Sequence, residues 1–382
     1  MYTRILKKPK NSILLFGPRG TGKSTWLKQC YPDTPNYDLL NTQEALRLSK
    51  NPSLIYNELE TYPPGTWVVL DEVQKVPALL DEVHRLIENK KLNFVLSGSS
   101  ARKLKKGGAN LLAGRAQMQH MFPFVSKEVD FKIKTPEVFR FGMLPMAYLS
   151  QEPIPYLRTY VEAYLAEEIK GEALTRNIGG FARFLEIAAR QNGQITNVSN
   201  IARDAQVARQ TVQGYFDILV DTLLGYWLQP WKLKRATKQV AHPKFYFFDA
   251  GVARALSNRL PYPLTNEELG PLFETFIIGE IQAYLAYTEL NYPLYFWSSH
   301  DNVEVDLLLE TKKGFLALEF KSATNWNKSF NKGLTRISSE LEANKVRCIG
   351  VYNGERPAKF DSIEVLPLLT FLEKLWAGDL IA

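Results

Sequence analysis

The sequence has only two cysteines, Cys30 and Cys348, in opposite halves of 382 residues. That excludes a disulfide framework and a cysteine-based zinc site. The four histidines, His84, His120, His242 and His300, are scattered without ligand spacing, so a histidine metal centre is not expected. No apolar run approaches the roughly eighteen residues that span a bilayer, and Ile13 to Phe16 stops at Gly17-Pro18. The same stretch is too short for a secretory signal core, despite Arg4, Lys7, Lys8 and Lys10 before it. Internal repeats and low-complexity tracts are missing. These absences point to a protein of the reducing cytoplasm, with no membrane partner.

What is present suits large cores: 45% hydrophobic, 12% aromatic and 23% charged residues, in a chain longer than one core usually organises. Charge is unevenly spread. Basic residues outnumber acidic ones 18 to 10 in residues 1–125 and 10 to 4 in 190–259. They fall short 8 to 9 in 126–189 and 11 to 17 in 260–382. Separate modules are expected, with 190–259 the better candidate for contact with phosphates, although solvated lysines would give the same count.

Short apolar runs alternate with amphipathic helical stretches through the first third: Ser12 to Phe16, Tyr37 to Leu40, Trp67 to Leu70, Asn93 to Leu96 and Ala116 to Met121. This is the pattern of a parallel α/β sheet. After Phe122-Pro123-Phe124 the period becomes helical. Two helices are then expected near Asn200–Arg203 and Arg209–Leu223, followed by strands Trp227–Leu233 and Lys244–Phe248 around a basic tip of Lys232, Lys234, Arg235 and Lys238. Helix-turn-helix plus wing is the economical reading, as a nucleic-acid module or as a plain spacer. The remainder predicts a helix over Leu272–Tyr287, strands Leu294–Trp297, Val303–Leu309 and Phe315–Lys321, a helix near 332–342, a strand Arg347–Tyr352 and a closing helix Leu366–Trp376.

Gly17-Pro18-Arg19-Gly20-Thr21-Gly22-Lys23-Ser24 fits G-x-x-x-x-G-K-[ST], with an apolar strand before it and a helical stretch from Thr25 after it. Such a loop curls its N–H groups around a polyphosphate at a helix N-terminus. Lys23 is expected on the β- and γ-phosphates of ATP and the Ser24 hydroxyl on Mg²⁺. Asp71 and Glu72 end another apolar run, as metal partner and general base respectively. Ser97, Ser99 and Ser100 end the next run, where one could sense the γ-phosphate or simply shape a turn. Arg115 could neutralise transition-state charge in cis or from a neighbouring subunit, or be a structural ion pair.

Further on, period two puts Glu304 and Asp306 on one strand face, and Glu319 and Lys321 on another. With Lys312-Lys313 as a two-residue hairpin loop, Asp306 would lie opposite Glu319 and Glu304 opposite Lys321, unless a bulge at Gly314 shifts the register. Facing carboxylates are tolerable with a divalent cation between them or a lysine beside them.

The GPRGTGKS loop, LDEVQKVP (70–77), SGSSARKL (97–104), LLAGR (111–115), TVQGYFDILVDTLL (211–224), FYFFDAGVARAL (245–256) and the late EVD and EFK motifs together resemble a known group. These are prokaryotic AAA-like ATPases in which a P-loop domain precedes a C-terminal domain of unknown function of the DUF4143 type. The resemblance spans nearly the whole chain. It implies an α/β protein with an ASCE/AAA-like parallel-sheet core (1–125), a helical lid (126–189), a winged-helix segment (190–259) and a restriction-endonuclease-like α/β domain (260–382). It supports Gly17 to Thr25, Ser97 and Arg115 around ATP, and Ser24 and Asp71 on magnesium. Asp306 with Glu319-x-Lys321 looks like a PD-(D/E)XK nuclease core, with Glu280 as the helix-borne metal carboxylate beside Asp306 and Glu319, and Glu274 as its alternative. Glu319 and Lys321 would then serve cleavage. Ser298 after Trp297 departs from the arginine of many relatives, which weakens phosphate gripping. Partners implied are DNA or another nucleic acid, and a protein partner or further copies of the chain.

Overall fold

A computed structural model describes residues 2–100, 112, 114–164, 177–231, 242–299, 301, 303–341 and 345–381. The chain divides into two compact units, one of residues 3–123 with 221–224 and one of the remainder. The basic stretches Arg102–Lys106 and Lys232–Lys238, and His300, lie outside the described residues.

The first unit is built on five strands: β1 (Ile13–Phe16), β2 (Asn36–Asp38), β3 (Trp67–Asp71), β4 (Asn93–Gly98) and β5 (Gln117–His120). All pair in parallel, in the order β2-β3-β4-β1-β5. Helices α1 (Lys23–Cys30), α2 (Thr42–Lys50), α3 (Leu54–Leu59) and α4 (Leu79–Lys90) join them. Strand β1 is buried along its whole length, which is why its sequence runs apolar rather than alternating. Leu79, Val83 and Leu86 recur at helical spacing on α4 and pack with Leu14, Phe16, Leu70, Phe94 and Leu96 into one core. Strand β2 is shorter than its apolar run predicts, because the Asp38 side chain accepts the Leu40 N–H at 2.9 Å and turns the chain.

The second unit opens with helices α5 (Thr135–Phe141), α6 (Pro145–Leu149), α7 (Pro153–Tyr164), α8 (Ile178–Arg190), α9 (Val198–Ala205) and α10 (Arg209–Asp221). Then follow β6 (Gly225–Pro230), β7 (Lys244–Phe247), α11 (Ala250–Leu256), α12 (Asn266–Tyr287), β8 (Leu294–Ser298), β9 (Glu304–Thr311), β10 (Gly314–Lys321), α13 (Lys332–Glu340), β11 (Val346–Tyr352), β12 (Ala358–Phe360), β13 (Ile363–Pro367) and α14 (Leu368–Ala377). One eight-stranded sheet runs β12-β13-β11-β10-β9-β8-β6-β7. The antiparallel pair β6–β7 therefore joins the C-terminal strands, through β6 paralleling β8. Apart from 221–224, segments 126–189, 190–259 and 260–382 share this compact unit. The hairpin β9–β10 pairs Leu316 with Leu309 and Leu318 with Leu307, so Lys312-Lys313 is the connection and Gly314 introduces no shift. The sequence reading missed β12 and β13, and it began the closing helix at Leu366, which lies in β13.

Two points of packing organise this unit. Cys348 is buried among Val305, Leu308, Ala317, Leu334 and Ile337, and like Cys30 it is a free thiol. Asp249 caps α11 by accepting the Val252 N–H at 3.1 Å, and it also accepts the Met143 N–H at 2.7 Å. Burial pushes its carboxyl up to about 6. Asp249→Ala would leave both amides without that acceptor and is expected to lower unfolding stability by about 2–4 kcal/mol. Thermal and urea unfolding followed by circular dichroism read the loss.

Candidate nucleotide site and carboxylate centre

Strand β1 ends at Phe16, which aligns with Gly98 on β4 and His120 on β5. The loop that follows turns through Gly20 and Gly22, at φ 80° and 92°, into α1. No side chain caps that helix, leaving its first-turn amides to the loop's concavity. Gly17 passes so close to the chain leaving β5 that a Cβ there would lie 2.4 Å from the Met121 carbonyl oxygen. Lys23, 5% exposed, donates from Nζ to the carbonyls of Gly17 at 2.8 Å and Pro18 at 3.2 Å. The Thr21 hydroxyl donates to the Pro18 carbonyl at 2.9 Å. Pro18 is buried, Arg19 and Ser24 are half-buried and Thr25 is exposed. Arg4, not singled out for this role by the sequence reading, donates to the Thr21 carbonyl and, at 2.7 Å, to that of Phe122. It ties the loop to the end of β5.

Asp71 ends β3 and accepts from the Ser97 hydroxyl on neighbouring β4. Glu72 then takes a left-handed conformation, φ 62°, which is uncommon for a residue with a side chain. Its N–H donates to Ser97 Oγ at 3.2 Å. Its Oε2 accepts from Ser99 Oγ at 3.1 Å and from Gln74 Nε2, while Gln74 also donates to Ser99 Oγ at 3.0 Å. Gln74 Oε1 is buried without a hydrogen-bond partner. Sequence reasoning missed Gln74, although a polar side chain two residues beyond a turning carboxylate can reach back to it. Ser100 donates to the Asp221 carbonyl at 3.4 Å. Arg115 forms an ion pair with Glu88 of α4, which holds that carboxyl below the usual range.

In the second unit Glu319 pairs with Lys321 at 2.5 Å, and Lys321 lies 3.9 Å from Asp306. Asp306 Oδ2 accepts the Phe320 N–H at 2.7 Å. The third carboxylate is Glu274, not Glu280. Its Oε2 accepts from the Tyr246 hydroxyl at 2.7 Å. Burial, reinforced by Asp306, raises the carboxyls of both Glu274 and Glu319. The hairpin keeps the expected register as far as Leu318 and Leu307, and the Glu304 side chain pairs with Lys244 of β7 at 3.1 Å. Burial opposes the charge on Lys244, but Glu274, Asp306 and Glu304 outweigh it and raise the ammonium above its ordinary range. Glu319 Oε2 is buried without a partner. Among the described residues, no three or more His, Cys, Asp or Glu side chains are placed to hold a metal ion.

Glu280 corrects the expectation of a metal carboxylate. Six residues turn a helix by about 600°, about 120° short of two full turns, so Glu274 and Glu280 cannot share a face. Glu280 Oε1 accepts the Ser126 N–H at 2.6 Å, and its Oε2 accepts Ser126 Oγ at 2.9 Å and Trp376 Nε1 at 2.7 Å. It binds the entry segment and the closing helix to α12, a structural role.

Residues 9–129 match the AAA domain family, 134–262 a domain of unknown function (DUF8612) and 269–371 a domain of unknown function (DUF4143). The chain thus carries an AAA-type domain match ahead of a C-terminal DUF4143 match. It is 25% identical over 380 residues to an uncharacterized protein of Mycobacterium tuberculosis, covering 97% of this chain and 83% of that one. An uncharacterized Haemophilus influenzae protein is 22% identical over 219 residues, 53% of this chain and 55% of its own. Among solved structures, the Aeropyrum pernix ORC1 protein in complex with DNA gives a TM-score of 0.29 at 14% identity, covering 66% of this chain and 87% of that one. The Aeropyrum pernix ORC2 protein in its ADP form gives 0.33 at 12% identity, covering 66% and 88%. No helix among the described residues is long and apolar enough to cross a membrane.

Burial pushes the Glu280 carboxyl up to about 7, against an ordinary 4.5. Between those values the folded chain holds a proton that the unfolded chain releases, so stability falls as pH rises through the window, by up to about 3 kcal/mol. Urea unfolding at about pH 5 and about pH 8 is expected to show that fall, and Glu280→Gln to flatten part of it.

Proposed function

We propose that this chain binds and hydrolyses ATP with Mg²⁺, and that its nucleotide state controls a C-terminal half which acts on nucleic acid. The carrying observation is that the glycine loop, Asp71 with Ser97, and Glu72 all lie at the carboxyl ends of adjoining parallel strands, where open α/β sheets bind ligands. Gly17 packs against the Met121 carbonyl where no Cβ fits, and Gly20 and Gly22 turn at positive φ, which lets the loop curl tightly. Its amides suit a polyphosphate, and Lys23 would exchange loop carbonyls for the β- and γ-phosphates. Ser24 and Asp71 would hold Mg²⁺, which withdraws charge from the phosphate oxygens. Ser97 keeps Asp71 in place. Glu72 would orient and deprotonate the attacking water once freed from Ser99 and Gln74. Arg115, paired with Glu88, would have to leave that partner to reach a phosphate of its own or a neighbouring chain.

For the C-terminal half, helices α8 to α10, the β6–β7 pair and the bridge from Ile195 to Lys244 support a winged helix. The succession α12-β8-β9-β10-α13-β11, with β10 parallel to β11 and Asp306, Glu319 and Lys321 together, supports a PD-(D/E)XK-like fold. A second reading keeps the ATP switch but makes this fold non-cleaving and recruits a protein partner. It is favoured by the hold of Lys244 on Glu304 and of Tyr246 on Glu274.

Phosphate release with Mg²⁺ and ATP tests the first step. Lys23→Ala is expected to lose binding and turnover, and Glu72→Gln to bind ATP but turn over about 10²- to 10⁴-fold more slowly. Unchanged turnover in both variants would contradict the assignment. Incubation of wild type and Asp306→Ala with plasmid and branched DNA decides the second step. Cleavage that disappears in Asp306→Ala supports the nuclease, and an inert wild type with intact ATP turnover supports the non-cleaving switch.

A further inference from the structure

We propose that Lys244 is a built-in counter-cation of the carboxylate centre, its ammonium group taking the electrostatic role that a divalent ion takes in a cleaving centre. The inference rests on reading residues 266–352 as a PD-(D/E)XK-like fold, and it gives the non-cleaving reading a physical cause. Lys244 lies outside that segment, at the start of β7, where it pairs with Leu228 of β6 and bridges to Ile195. It is 5% exposed. A lysine so buried is sustained only by opposite charge. Its Nζ lies 3.1 Å from Glu304 Oε2 and 5.2 Å from the Phe296 ring centroid.

Tyr246, two residues along the same strand, donates its hydroxyl to Glu274. Period two puts both residues on one face of β7, so a single strand supplies a donor to the outer carboxylate and to the helix carboxylate. Lys321 serves Glu319 and Asp306 from β10, and the Phe320 amide serves Asp306 again. Glu274, Asp306, Glu304 and Glu319 are therefore each engaged by protein donors. An entering dication would meet the Lys321 ammonium beside Asp306 and Glu319, and the Lys244 ammonium on Glu304, two residues along β9 from Asp306, and would have to displace these donors to gain ligands. Glu319 Oε2 is the one oxygen of these pairs that is buried without a partner. A single unpartnered oxygen does not make a binding site for a dication.

The test uses the full, nucleotide-free chain titrated with Mn²⁺, followed by electron paramagnetic resonance of the free ion and by thermal unfolding. Wild type is expected to show no Mn²⁺ binding that depends on Asp306. Lys244→Gln is expected to take up a single ion at least about tenfold more tightly than wild type, with a rise in melting temperature, both abolished by adding Asp306→Asn. If Lys244→Gln fails to fold, Lys244→Gln with Glu304→Gln removes both partners of the pair and serves in its place. Tight, Asp306-dependent binding by wild type would overturn the proposal and leave a cleaving centre standing. Folded variants that bind no Mn²⁺ would overturn it together with the reading of these carboxylates as a nuclease-type centre.

Discussion

A polyphosphate can be gripped by backbone amides only where the chain curls without side chains in the way, and every feature of the first unit bears on that constraint. Gly17 has no room for a Cβ because the chain leaving β5 passes against it. The loop's shape therefore depends on β5 lying beside β1, a pairing between residues about a hundred positions apart. Arg4 adds a second tie by bonding both the loop and the β5 exit. The next strands inward then supply acid and hydroxyl groups at the same edge. Asp71 and Ser97 meet because β3 and β4 pair in register, and Glu72 is turned out of the strand by its left-handed backbone.

The second unit solves a different problem, that of keeping carboxylates inside a protein. Burial favours their neutral forms, and each is retained with specific donors. Glu280 receives three donated hydrogen bonds from Ser126 and Trp376, and Asp249 receives backbone amides from two segments. Around Asp306 charged donors join two neutral ones, the Phe320 amide and the Tyr246 hydroxyl. Lysines from two different strands, Lys244 and Lys321, engage the group from opposite chain segments. Four carboxylates, Glu274, Asp306, Glu304 and Glu319, share two lysines, and burial with neighbouring charge raises Glu274 and Glu319 toward their neutral forms. Through β7 the cluster's charge is coupled to the helices and hairpin that precede it.

Much of this was legible because the signals were local. The P-loop spacing, the acidic end of β3, the serines ending β4 and the hairpin register through Lys312-Lys313 are all set by residues a few positions apart, and the parallel pairing of the first unit, though not its strand order, follows its alternating pattern. The choice between Glu274 and Glu280 was harder. Periodicity says only that they differ in direction, while the packing of Ser126 and Trp376 against α12 decides which one turns away. Arg4, Gln74, Lys244 and Tyr246 left little or no local signal, since their partners lie across turns or on distant strands. The joining of β6 to β8 was illegible for the same reason, because a parallel edge pairing over some sixty residues leaves no turn signature.

In the proposed function the glycine-rich loop is the nucleotide site on which the rest depends. Isothermal titration of the folded, nucleotide-stripped chain with ATP and Mg²⁺ tests it most directly. Saturable heat with one site per chain, lost in Lys23→Ala and in Gly17→Val while both variants keep their far-ultraviolet dichroism, is the predicted result. Absence of heat from wild type with adenine and guanine nucleotides alike would contradict the account.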